Sequence, residues 1–173
     1  RIVVQVGGGA LASSCALAVE TALQTGILTQ RPRFDTIQTD SAAPLARAYA
    51  RLTAQYGQHD VDISDAEWHR IAAQKKEYMW PWESVPHSAA HGILDDETYD
   101  YLALLQAMRR SQGSALVAAE SDILAAYELA QTSTPHAVSA TGSAGLAGLV
   151  TLHKQAPLSA DENVVCLFTG VKR

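Results

Sequence analysis

Gly7-Gly8-Gly9, set between the apolar run Ile2-Val3-Val4-Gln5-Val6 and the alanine-rich segment Ala10-Leu11-Ala12-Ser13-Ser14-Cys15, is the stretch of this sequence best equipped for chemistry. β-Branched residues, then glycines, then apolar residues at helical spacing predict a strand, a tight loop and a helix. Such a junction binds anions. Glycines let the backbone approach a ligand, and the first amides of the helix lack internal partners and lie at the positive end of its dipole. Phosphate is the usual occupant. A βα turn that simply needs glycine accounts for the same residues about equally well. Gly7 to Ala12 also satisfies the dinucleotide pattern G-x-G-x-x-A, with Asp40 ending the next strand as the acidic residue for a ribose hydroxyl. That residue belongs about 20 positions on, whereas Asp40 lies 31 beyond Gly9.

The other chemistry-bearing residues are scattered. Thr169 ends the last predicted strand, so its hydroxyl opens onto the same crevice as the glycines if the first and last strands are parallel members of one sheet. His87 and His91 are four apart, but Pro86 argues for a loop and no third ligand follows at matching spacing, so a structural role outweighs a zinc site. His59, His69, His136 and His153 fit surface or structural positions. No Ser-His-Asp arrangement can be assembled from spacing, and Ser13-Ser14 fits a polar helix surface. Cys15 and Cys166 stand among apolar neighbours and are expected to be buried free thiols.

The elements that must position these groups alternate. The glycine loop leads into a helix over 10–25, apolar almost all round and so expected to be covered on more than one side. Phe34-Asp35-Thr36-Ile37-Gln38-Thr39 is a second strand, reached by a right-handed crossover. Helices are predicted over 43–56 and from the capping box Ser64-Asp65-Ala66-Glu67. The irregular 79–94 segment, with Trp80, Pro81 and Trp82, has the length of a functional loop. A helix is expected from Asp95-Asp96-Glu97 to Gly113, a strand over 115–119, and a helix over 122–131 capped by Ser121. A small-residue helix at 141–149 packs closely on the sheet, and 163–168 forms a buried strand. This pattern gives an α/β fold: three layers, a doubly wound, mostly parallel sheet with helices on both faces. Residues 1–173 make a single α/β domain.

Composition narrows the function. The apolar fraction of 47% and charged fraction of 18% are those of a globular domain. A formal net charge of −5, with no Lys/Arg-rich run, excludes the electrostatic footprint of a nucleic-acid binder. No apolar run approaches the roughly 20 residues that span a membrane, and nothing resembles a signal peptide, so a cytoplasmic location is expected. The chain opens at Arg1 directly into a strand, which leads us to expect the C-terminal portion of a longer enzyme.

Four motifs in order, Val6-Gly7-Gly8-Gly9-Ala10-Leu11-Ala12, Phe34 to Asp40, Thr141-Gly142-Ser143-Ala144-Gly145-Leu146-Ala147 and Leu167-Phe168-Thr169-Gly170-Val171-Lys172, resemble the C-terminal part of the pyridoxal-phosphate enzymes of the tryptophan synthase β-like family (fold type II). The closing Thr-Gly turn is most similar to that of threonine synthases. The resemblance implies pyridoxal 5'-phosphate as cofactor, its phosphate held by Gly7, Gly8, Gly9 and Ala10 with Leu11 opening the helix, and its ring nitrogen beside Thr169. A neutral hydroxyl there leaves the ring a weaker electron sink, which suits elimination and replacement at a substrate side chain.

The sequence departs from the family at Ala10, where a fourth glycine is common, and at Ser139-Ala140, where an acidic residue and proline are often found. None of Lys75, Lys76, Lys154 or Lys172 matches the family's Schiff-base lysine, which lies upstream of the glycine loop. The implied partners are a small amino-acid substrate, the missing N-terminal portion and a second copy of the chain, with Trp80 and Trp82 fitting either an interface or the core. His91-Gly92 falls where the family places a loop running past the cofactor. The expected function is therefore a threonine synthase-like lyase or replacement enzyme, inactive as this chain alone. An amino-acid ammonia-lyase (threonine or serine dehydratase-like) and a non-catalytic nucleotide-binding α/β module are the alternatives.

Overall fold

Among the described residues, four strands, all parallel, form one sheet in the order β3-β2-β1-β4. They are β1 (Ile2–Gln5), β2 (Phe34–Thr39), β3 (Ala115–Ala118) and β4 (Val165–Cys166). The computed structural model describes residues 1–59, 62–155 and 157–171, so Lys172 of the closing motif lies outside the described residues. β1 pairs with β2 from Ile2 opposite Phe34 to Gln5 opposite Ile37. Alternation along these strands builds two cores. Val4, Val6 and Phe34 join α1 (Ala10–Gln24), α2 (Pro44–Tyr56) and α5 (Tyr101–Arg110) on one face, through Ala12, Leu45, Leu52, Leu104 and Met108. Ile37, Leu116 and Ala118 join α6 (Glu120–Ser133) and α7 (Ala140–Gln155) on the other, through Ile123, Ala126, Ala144 and Ala147. The α/β architecture expected from the alternating pattern is thus present. Gly148 shows why α7 is made of small residues: a Cβ there would stand 3.2 Å from that of Ile37.

The chain moves outward from β1 to β3 and returns through α7 to place β4 on the other side of β1. The carboxyl ends of β1 and β4 therefore flank a topological switch point, where open α/β sheets bind ligands.

Several predicted boundaries shift for identifiable reasons. The helix expected from Asp95 begins only at Tyr101. Residues ahead of it are drawn onto the glycine loop instead, the Asp100 amide donating to the Gly8 carbonyl (3.2 Å) and Thr98 Oγ1 to the Gly7 carbonyl (2.9 Å). Ser121 is not a cap. The Ala119 carbonyl already accepts from the Asp122 and Ile123 amides, so α6 starts at Glu120. β4 has two residues rather than six and forms a sheet edge, with Val165 52% exposed. α1 is covered on one side only: Ala12 is buried, whereas Leu11 and Leu17 are 43% and 67% exposed. Cys15 and Cys166 are free but half-buried. Burial pushes the Cys166 thiol up to about 11. Thiol reagents at neutral pH should leave it unmodified, a prediction checked by mass spectrometry of the folded protein.

The capping box at the start of α3 (Asp65–Ala73) forms as predicted, Ser64 Oγ accepting from the Glu67 amide and the Glu67 carboxylate from that of Ser64. Ser64→Ala should cost about 1 kcal/mol in a denaturant titration. After α4 (Lys75–Tyr78) the irregular segment is anchored by Arg47. Its guanidinium lies 3.8 Å from the Trp80 ring centroid and 4.9 Å from that of Trp82, and also donates to Glu83. The two tryptophans, half-buried, thus grip a cation within the chain.

Candidate functional site

The glycine loop leaves β1 at the sheet's carboxyl edge. Val6 still donates its amide to Ile37, and Gly9 then takes φ 105° as N-cap of α1, a conformation open to glycine and strained for other residues. The first helical bond to return to this loop runs from the Ser13 amide to the Gly9 carbonyl. The amides of Gly9 to Ala12 therefore precede any i−4 partner in the helix, with the dipole behind them. No acidic residue lies in the first turn of α1 to weaken that field.

Thr169 faces this loop. A cleft of about 350 Å³ is lined by Gly7, Gly8, Gly9, Ala10 and Leu11 on one side and by Thr169 on the other. The six residues singled out from the sequence thus share one space, although they lie more than 150 positions apart. A volume of 350 Å³ is in the range of small-molecule sites. His91 and Gly92, on a 3₁₀ turn (His91–Ile93), line an adjoining space of about 660 Å³ that shares Gly92, Thr141 and Thr169 with the first.

Three further contributors were not singled out as site residues. Gln5 reaches across from β1, its amide nitrogen donating to Thr169 Oγ1 at 2.5 Å. Its sequence signal is a polar residue inside an apolar strand. Thr141, in the first turn of α7, accepts the Gly92 amide (3.0 Å) and so ties the 3₁₀ turn to the cleft. Tyr99 covers the loop, where a Cβ on Gly8 would meet its ring at 3.0 Å. Ser139, at the place where the family often has a carboxylate, caps α7 by accepting the Gly142 amide (3.0 Å). Its own amide donates to the Gly170 carbonyl (2.9 Å), which pins the turn carrying Thr169.

The positive potential at the site comes from backbone, and the charged side chains beside it are the carboxylates of Asp95 and Asp100, the latter lining the cleft. No lysine or arginine lines the cleft among the described residues. Lys75 pairs with Glu97 and Lys154 with Asp122. The Asp95 carboxylate lies against Gly7, and that of Asp100 accepts from Ser13 Oγ at 2.6 Å. A Cβ on Gly9 would meet Asp100, Thr98 and Leu104 at 3.1 to 3.2 Å, so close packing also favours glycine there. The donor set suits a ligand with an anionic end at the amides and a ring acceptor at Thr169. No group of three His, Cys, Asp or Glu among the described residues can hold a metal ion. No helix among them is long and apolar enough to cross a membrane.

A family model described as pyridoxal-phosphate dependent enzyme matches residues 1–170. No curated protein matches the sequence. Among solved structures, a threonine deaminase from T.th. is similar with 20% identity and a TM-score of 0.66, over 99% of this chain and 49% of that one. Maize serine racemase shows 18% identity and a TM-score of 0.61, over 99% of this chain and 43% of its own. The processed form of threonine deaminase isoform 2 from Solanum lycopersicum shows 14% and 0.67, over 99% and 40%. At these identities the likeness is one of fold, and this chain spans less than half the length of each. The family match over nearly the whole chain is the finding that assigns it: the chain belongs to the pyridoxal-phosphate dependent enzyme family, whose cofactor is pyridoxal phosphate.

Proposed function

We propose that this chain supplies the phosphate-binding and ring-orienting side of the cofactor site in an enzyme that eliminates or replaces a side-chain group of an amino acid. The observation that carries the reading is the shared cleft of Gly7 to Leu11 and Thr169. The amides of the α1 N-terminus would hold the phosphate, and the Thr169 hydroxyl would hydrogen-bond the ring nitrogen. Bound there, the cofactor supplies an electron sink for charge developing on the substrate. Because Thr169 is neutral, it orients the ring without forcing a proton onto its nitrogen.

The Schiff-base lysine would come from a segment outside this chain, and the closing motif supports a threonine synthase-like replacement. The second reading is an ammonia-lyase, favoured by solved neighbours titled threonine deaminase and L-serine ammonia-lyase. Release of ammonia and a 2-oxo acid would select the lyase, and formation of a new amino acid the replacement enzyme. The 173-residue chain alone is expected to show no turnover, and turnover by it after purification would overturn the division of the site between segments.

Thr169→Val, in the enzyme complete with that segment, should weaken cofactor binding about 10-fold while Thr169→Ser restores it, because only the hydroxyl differs in use. Equal affinities for all three, measured by fluorescence titration with pyridoxal phosphate, would remove Thr169 from the site.

A further inference from the structure

Gln5 is 5% exposed on the face of β1 that meets α7. Its Nε2 lies 3.5 Å from the Gly142 carbonyl and 2.5 Å from Thr169 Oγ1. The Gly142 carbonyl can only accept, so the Gln5 atom turned to it is the amide nitrogen. A flipped amide would set two acceptors face to face. The same NH₂ group therefore donates to Thr169 and has no lone pair to offer in return. Gln5 Oε1 has no hydrogen-bond partner among the described residues, and a Cβ on Gly145 would stand 3.3 Å from it. The amide is thus oriented through its two donor contacts alone.

Thr169 Oγ1 carries one proton and two lone pairs, and Gln5 occupies one of the lone pairs. We propose that Gln5 is a positioning residue, which, by donating to one lone pair of Thr169, leaves that hydroxyl's proton free to point into the cleft and so favours a ring nitrogen that accepts rather than donates. This rests on the reading of the cleft as the pyridoxal-phosphate site. It assigns to β1, through a side chain beside the glycine loop, the choice of hydrogen-bond direction at the far end of the ligand.

The test uses the enzyme complete with its lysine-bearing segment, loaded with pyridoxal phosphate labelled with nitrogen-15 in the ring. The wild type should show the nitrogen-15 shift of a neutral pyridine. Gln5→Met keeps the shape and removes both donors, and should weaken cofactor binding about 3- to 10-fold. Gln5→Glu places an acceptor beside Thr169, reversing its hydroxyl so that a lone pair faces the ring, and should move the shift toward the protonated pyridinium as the pH falls. Thermal unfolding of both variants checks the fold. Should Gln5→Met not fold, the shift in Gln5→Glu decides. Wild-type affinity and shift in the Gln5 variants, with Thr169→Val weakened, would overturn the role of Gln5 alone. Wild-type affinity in Thr169→Val as well would overturn the reading of the cleft, and the role of Gln5 with it.

Discussion

Gly142→Ala is expected to weaken binding of pyridoxal phosphate by about 100-fold, close to 2.7 kcal/mol. Gly142 lies in the first turn of α7, and its missing side chain is where the chain returns from β4. A Cβ there would fall on the backbone of Gly170, 2.6 Å from its carbonyl oxygen and 2.9 Å from its Cα. Side chains can rotate away from such a contact, but backbone cannot, so the turn itself must move. That turn hangs on two bonds, the Thr169 amide to the Gly142 carbonyl (3.3 Å) and the Ser139 amide to the Gly170 carbonyl (2.9 Å). Displacing it carries Thr169 away from the glycine loop. Overpacking of this kind costs about 1 to 3 kcal/mol in stability, so the variant should still fold. Gly26→Ala is the control: nothing lies within 4 Å of its Cβ, and its φ of 73° predicts a stability loss of about 1 kcal/mol with affinity unchanged. Fluorescence titration alongside thermal unfolding separates the two effects. Wild-type affinity in Gly142→Ala would show that Thr169 does not need its present position.

Asp35→Ala should lower stability by about 3 to 5 kcal/mol without any direct effect on the cleft. Asp35 is fully buried in β2, where one carboxylate oxygen accepts the Ser114 amide at 2.7 Å and the other pairs with the Arg1 guanidinium. The Arg1 side chain is itself only 6% exposed and also reaches Glu162 at 2.8 Å. Removing Asp35 leaves a buried cation with one partner fewer and a backbone donor with none, and both penalties fall on the folded state. The carboxylate joins two parts of the sheet to β2, since Arg1 leads into β1 and Ser114 into β3, and Arg1 extends the link to Glu162, ahead of β4. Asp35→Asn keeps an acceptor for Ser114 while losing the charge, and should fall between wild type and alanine. The midpoint of urea unfolding measures the series. A loss under about 1 kcal/mol for Asp35→Ala would mean that water reaches Arg1 and repairs the pair.

Local patterns in the residues were enough to place β2 at 34–39, the glycine turn between β1 and α1, and the Ser64 capping box, because each depends on neighbours within a few positions. Legibility failed where distant contacts overrode local preference. Asp95-Asp96-Glu97 has the charge of a helix start, yet the hydrogen bonds of Thr98 and Asp100 to Gly7 and Gly8 hold those residues as a cover over the loop. The sequence from 163 to 168 has the apolarity of an inner strand, yet lies at an edge among the described residues, because burial depends on which strands stand beside it. The glycine turn and the closing threonine were each visible as residue types. That they face one another, with Gln5 between α7 and Thr169 setting the direction of a hydroxyl, depended on the return of β4 to the near side of β1. Strand order is a property of how the helices cover the two faces of the sheet, and no short run of residues encodes it.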